Sequence, residues 1–323
     1  MTDEQILKCR SCMELFPQDS RKAEELYISL MKKYHPDISD NPQAEKISAV
    51  ITSLYSRVKK QPELKYKSFC PENFDLPYIK CYNREDGLMY YCGDCVVYII
   101  NSGAWQENIF KSYDGYRLNA EKDVVAEILK QSKPSLPEIS DYFRMANGDL
   151  FIKVKLENDE IPLDELLEFY KDDIDPRHCA WITSRLIGLC CFAHIGGNVL
   201  NCLCTENFMV SPSQHSLRLA GGWWFIKHYK EKMHGVQSEV YENMPVSSKT
   251  DKLARFTTDL ECIKAVCRKI FPANSPEPML EYSESVCSQD IFSEFEKWDN
   301  TIKKSFGGRF FTKMKLCPAD IYI

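Results

Sequence analysis

The 323-residue chain has no excess of positive charge, no apolar run that reads as a membrane span, no internal repeat and no low-complexity tract. Its 41 Lys and Arg are outnumbered by 47 Asp and Glu, a formal net charge of −6, so nucleic acid would be repelled unless one face were locally basic. The longest uncharged stretch, Leu186 to Thr205, could just cross a bilayer, but it contains His194, Asn198 and Asn201 with Gly188, Gly196 and Gly197. It reads as a buried helix followed by a loop. The opening Met1-Thr2-Asp3-Glu4 is acidic and no apolar core follows it, so no secretory signal is expected and the expected setting is cytoplasmic. Without such a signal, the fifteen cysteines are expected as reduced thiols or metal ligands, not as a disulfide framework. The composition, 44% hydrophobic and 27% charged, is ordinary for a packed globular protein, and the length suits two domains.

The first sixty residues carry helical periodicity. From Arg21 to Tyr34, Leu26, Leu30 and Tyr34 recur every four residues, Ala23, Tyr27 and Met31 widen the stripe, and Arg21, Lys22, Lys32 and Lys33 supply a basic face. Pro36 ends that helix, and Asn41-Pro42 starts another whose stripe is Ala44, Ile47, Val50, Ile51, Leu54 and Val58. The stripes are expected to face each other as a helical hairpin, with a segment from Glu4 to Phe16 packed across it. Residues 61–75 are polar and proline-flanked, and read as a linker. Beyond it, Leu76–Cys81, Leu88–Tyr91 and Cys95–Ile100 are rich in Tyr, Val and Ile, the pattern of an antiparallel meander. Asn108–Tyr113 would be a further strand, and Asn119 would cap a helix from Ala120 to Gln131. Glu138–Met145 and Asp149–Leu156 meet across Ala146-Asn147-Gly148, a hairpin signal. Helices dominate from Leu163, interrupted by strand-like Asn207–Ser211 and Leu217–Ala220.

His35-Pro36-Asp37 falls in the turn between the two amphipathic helices, directly after Lys32-Lys33-Tyr34. Proline fixes such a turn, His35 and Asp37 are presented to a partner, and the lysines attract an acidic surface. The string from Glu25 to Asp37 resembles the second helix and loop of J-domains, the DnaJ-type co-chaperone module, and the resemblance covers roughly residues 4 to 60. It implies that Lys32, Lys33, His35, Pro36 and Asp37 engage a DnaK-type chaperone and stimulate its ATP hydrolysis.

The order of strands, one helix, a hairpin and a helical lobe resembles the protein-kinase-like fold from residue 76 to about 305. That resemblance makes Lys111 the third-strand lysine, Glu127 its helix partner, and Ala180–His194 the long buried helix ahead of the catalytic loop. Leu200-Asn201-Cys202-Leu203-Cys204-Thr205-Glu206-Asn207 resembles the loop itself. Glu206-Asn207 matches its Glu-Asn pair, while Cys202 stands where the catalytic aspartate belongs. In Leu217-Arg218-Leu219-Ala220-Gly221-Gly222-Trp223, Gly221 stands where the metal-binding aspartate belongs. Asp259 matches the aspartate that braces the catalytic loop from below. Both carboxylates that phosphoryl transfer uses are thus missing, and Gly87 to Gly93 offers no glycine-rich phosphate loop.

Cys92-Gly93-Asp94-Cys95 and Cys9-Arg10-Ser11-Cys12 have zinc-knuckle spacing, but Cys9 and Cys12 fall on an expected helix, and Cys70 and Cys81 lack the tight spacing of a second pair. No structural zinc, other metal or cofactor is expected. Trp223 and Trp224 could close the would-be nucleotide cleft, face a partner or bury against the helical lobe. The expected fold class is α+β: an all-α J-domain-like hairpin over 1–60, a linker over 61–75, and a two-lobed protein-kinase-like domain. Its antiparallel sheet lobe spans 76–156 and its helical lobe 157–323. The expected function is a J-domain co-chaperone with no catalytic residues, whose inactive kinase-like domain, a pseudokinase, binds an unknown protein client; nucleic acid and membrane are not expected partners. Two alternatives stand: an atypical phosphotransferase using Lys111, Asn207 and an unassigned acid, and an adaptor without chaperone activity.

Overall fold

The computed structural model describes residues 1–17, 19–60, 65–71, 75–101, 103, 106–110, 112, 136–157, 159–310 and 312–322. The chain forms two compact units, Met1–Lys67 with Lys313–Ile323, and Ser68–Thr312.

In the first unit, two short helices, Asp3–Lys8 (α1) and Cys12–Leu15 (α2), stand where one segment was expected. The break is fixed by two capping boxes, Thr2 with Gln5 and Ser11 with Glu14, each satisfying N–H groups that a helix start leaves open. Ser20–Tyr34 (α3) starts at Asp19, whose carboxylate accepts from the Arg21 and Lys22 N–H groups. Ala44–Lys60 (α4) packs beside α3. Ile6, Phe16, Tyr34, Ile47, Ile51 and Leu54 are buried in one core, and Tyr27 stacks on Tyr55 with centroids 3.9 Å apart. Each large apolar side chain buried this way stabilises by roughly 1.5–3 kcal/mol, which supplies what isolated helices of this length lack in water. Lys313–Ile323, expected in the helical lobe, belongs to this unit instead. The reason is a buried carboxylate that needs donors: Asp320 accepts from the Ser11 hydroxyl at 2.7 Å, and from the Cys12 N–H at 3.4 Å.

In the second unit, Lys67–Phe69 (β1), inside the expected linker, pairs with Leu76–Tyr78 (β2). Lys80–Arg84 (β3), Gly87–Tyr91 (β4), Cys95–Ile100 (β5), Ile139–Arg144 (β6) and Leu150–Lys155 (β7) form one antiparallel sheet in the order β3-β4-β5-β7-β6. Every residue of β5 is buried. Since β5 pairs with β4 on one side and β7 on the other, no edge beside it remains for the strand expected over Asn108–Tyr113. Residues 106–110 are helical instead. The Gln106 side chain donates to the Ile100 carbonyl at 3.0 Å, and Ile109 is fully buried. Lys111, Asn119, Glu127 and the helix expected from Ala120 to Gln131 lie outside the described residues.

Ile161–Pro162 (β8) leads into Leu163–Tyr170 (α5) and then Pro176–Ile195 (α6), which Asp175 caps and Pro176 opens. Asn198–Val199 (β9), Phe208–Ser211 (β10), Ser216–Leu219 (β11) and Lys227–His228 (β12) follow; β10 lies between β11 and β8, and β12 pairs with β9. Ser238–Asn243 (α7), Val246–Asp251 (α8), Phe256–Ile270 (α9), Glu277–Glu284 (α10) and Ile291–Phe306 (α11) complete the unit. Lys264 of α9 and Glu294 of α11 form a buried ion pair at 2.6 Å, and Lys264 also donates to the Tyr282 carbonyl of α10. None of the described helices is long and apolar enough to cross a membrane.

Candidate functional site

The turn after α3 is built by the backbone. The His35 N–H donates to the Met31 carbonyl and closes the helix, and the Ile38 and Ser39 N–H groups both donate to the His35 carbonyl. Pro36 sits between them with no N–H to satisfy. His35 Nδ1 accepts from the Asp37 N–H at 3.2 Å and lies 3.7 Å from the Asp37 carboxylate; the two side chains are 41% and 85% exposed. Lys32 and Lys33 are exposed in the last turn of α3. Asp3 holds both shoulders of the turn, accepting from the Tyr34 hydroxyl and from Asn41 Nδ2 at 2.6 Å. Those two bonds hold the Asp3 carboxyl below the usual carboxylate range. Lys33 donates to the Tyr34 hydroxyl at 2.8 Å, which raises the Lys33 pKa. Sequence reasoning missed Asp3 and Asn41, since neither has a periodic or spacing signal.

In the second unit the structure brings Cys202, Asn207, Gly221 and Asp259 into one region. The fully buried Asp259 accepts from the Leu200 N–H at 2.8 Å and the Asn201 N–H at 2.9 Å, and shares a 2.9 Å hydrogen bond with His194 Nε2. Asn207 Nδ2 donates to the Cys202 carbonyl at 2.8 Å and to Gln237 Oε1 at 2.6 Å, while Gln237 Nε2 donates to Glu206 at 2.6 Å. Protein partners therefore occupy the Asn207 amide. Burial raises the Cys202 thiol well above its usual pKa, so it has no thiolate character.

The third strand of the sheet is β5, and the residue that meets Gly221 from it is Tyr98. A Cβ on Gly221 would lie 2.6 Å from the Tyr98 hydroxyl oxygen. Tyr98 thus faces Gly221 from that strand, while Lys111, expected as the third-strand lysine, lies outside the described residues. Gly222 has φ +72°, and a Cβ there would fall 2.5 Å from the Asn207 amide nitrogen, so a side chain is excluded by space and by conformation. Trp223 and Trp224 are both buried, edge-on to the Tyr98 ring. The Trp223 indole donates to the Ile109 carbonyl at 3.3 Å and the Trp224 indole to Asp86 at 2.7 Å.

The β3–β4 turn is tight and tied down. Arg84 reaches Asp164 and Glu206, both at 3.0 Å, and the Ser238 N–H donates to Glu85 at 2.9 Å. Burial opposes the Arg84 charge, but Asp164 and Glu206 outweigh it and its pKa is raised. Burial raises Glu206 against the pull of Arg84, and raises Asp86 against its bond from Trp224. Neither Arg84 nor Tyr98 was singled out from sequence. Their neighbours read only as strand, and strand periodicity says nothing of what faces them across the cleft.

All fifteen cysteines are free thiols, and among the described residues no group of three or more His, Cys, Asp or Glu is placed to hold a metal ion. No family profile matches the chain, and no curated protein matches it in sequence. Among solved structures, one described as the structure of vaccinia related kinase 3 is similar, with a TM-score of 0.52 at 12% identity over 77% of this chain and 94% of that chain. The chain thus contains a protein-kinase-like fold.

Proposed function

We propose that the chain is a J-domain-type co-chaperone whose kinase-like unit binds a partner and transfers no phosphate. The observation that carries this reading is the His35-Pro36-Asp37 turn, open to solvent beyond a basic helix end and held at both shoulders by Asp3. A DnaK-type chaperone would meet Lys32 and Lys33 first, by attraction between complementary surfaces, and then read the turn. A cytoplasmic setting belongs to the same proposal, since free thiols persist where reductants keep them.

The filling of the would-be nucleotide cleft supports the inactive half. Gly221, which by the kinase resemblance replaces a metal-binding carboxylate, is packed against Tyr98, and the Asn207 amide already has protein partners. Arg84 ties the sheet lobe to Asp164 and Glu206 of the helical lobe. Thermal unfolding of the second unit with and without magnesium-ATP tests this half, and no shift and no phosphate transfer are expected. Stabilisation together with transfer to a protein substrate would replace it with the atypical phosphotransferase.

A further inference from the structure

A cavity of about 540 Å³ lies in the second unit between α6 and α11, on residues that the kinase-like cleft does not use. We propose that it docks an amphipathic helix of a partner protein, apolar on the face that enters the groove and acidic on its flanks. The proposal rests on the reading of this unit as a binding module, and names the chemistry of what it binds.

Length, walls and floor suit a helix. Along α6 the lining runs from Arg177 to Cys191, which is roughly 21 Å at the helical rise per residue and matches about four turns of a partner helix. Trp181 forms one wall, and Phe295 and Phe306 of α11 the other. The Trp181 wall is fixed in advance: its indole donates to His178 Nδ1 at 3.3 Å, and its ring stacks on His215 at 4.7 Å and 4°. Binding therefore need not order it. Gly188 keeps the floor open, since nothing lies within 4 Å of where its Cβ would be. At the rim Phe310 is 71% exposed and Phe295 37%, which adds open apolar area to the groove.

Charge selects the flanks of the occupant. Arg177, Arg185 and Arg309 line the groove, and no Asp or Glu does. Asp175 answers Arg177, and Asp299 is shared between Arg309 at 3.1 Å and Lys303 at 2.7 Å. Arg185 donates to the His215 carbonyl at 2.9 Å, and no ion pair among the described residues involves it. Of the three lining arginines, two have a carboxylate partner, one of which is shared with Lys303, so the rim keeps a positive excess at Arg185 on a chain whose net charge is −6. Such a rim attracts acidic flanks and repels basic ones.

The test uses the full chain and fluorescein-labelled peptides of about 15 residues, long enough to span four helical turns. One carries Leu and Phe at helical spacing with Glu between them, a second carries Lys in place of Glu, and a third keeps Glu but has Ala at the apolar positions. Anisotropy titration should show the first binding at least about tenfold more tightly than either other, and less tightly as salt rises. Gly188→Leu fills the groove with a residue that favours helix, and Arg185→Glu reverses the rim. Each should weaken the acidic peptide about tenfold with the circular dichroism spectrum unchanged. The proposal is overturned if the acidic peptide does not bind, if the lysine peptide binds as tightly, or if Gly188→Leu binds like the wild type. Chaperone ATPase stimulation is read on the same variants and should be unchanged, so failure of the groove and failure of the co-chaperone reading are seen separately.

Discussion

Tyr98 is buried beside Gly221. Its hydroxyl is buried with no hydrogen-bond partner, wedged against Gly221, and burial raises its pKa far above the usual phenol value. Tyr98→Phe removes an unsatisfied polar group without changing shape. Chemical denaturation of the second unit should therefore show no loss, or a gain of up to about 1 kcal/mol. A clear loss would mean that the hydroxyl serves a bond the folded chain needs. His178 gives a second prediction at this scale. Burial lowers its pKa to about 4, with Asp175 pulling the other way and His215 and Arg177 adding to the burial effect. The unfolded chain binds the proton more readily, so the stability conferred by the neutral ring is present above pH 6.5 and is lost as pH falls from there toward 4. Comparing unfolding at pH 7 and pH 5, His178→Gln should lose about 2 kcal/mol less than the wild type. Equal losses would contradict the assignment.

Between α9 and the loop after β9, one carboxylate serves three donors. Asp259→Ala would leave the Leu200 and Asn201 N–H groups buried without acceptors, so the second unit should lose about 3 kcal/mol or more, measured by its urea midpoint. A loss under about 1 kcal/mol would show that the loop is held from elsewhere. Elements that bury one stripe were legible in the sequence: α3 repeats every four residues, α4 every three to four, and the β6–β7 hairpin is marked by Asn147-Gly148. Residues 106–110 misled because Ile109-Phe110 is as apolar as a strand, and only the pairing of β5 on both edges excludes one. The partition of residues 1–17 into α1 and α2 depends on capping boxes that a hydrophobic pattern does not reveal. The loop of Cys202 to Asn207 could be recognised by residue order. Its closure by Gln237 could not, since thirty residues separate that side chain from Asn207.

Both chain ends lie in the first unit, an arrangement that no local signal announces, because Asp320 and Ser11 are 309 residues apart. Truncation after Thr312 would remove the buried Met314 and Leu316 and leave the Ser11 hydroxyl without its acceptor. The first unit should then unfold at lower temperature, by several degrees, while the second is unaffected; calorimetry of the two transitions reads this directly. Equal shifts in both, or none in the first, would contradict the division. The proposal for the whole molecule joins an exposed His-Pro-Asp turn, meant for a chaperone, to a kinase-like unit whose cleft is filled by its own side chains. Asp37 is 85% exposed and has few contacts to lose, so Asp37→Asn should leave the fold intact. Single-turnover ATP hydrolysis by a DnaK-type chaperone, with wild-type protein and with Asp37→Asn, tests the proposal most directly. Acceleration by the wild type and none by the variant is the expected result, and equal rates for the two would contradict it.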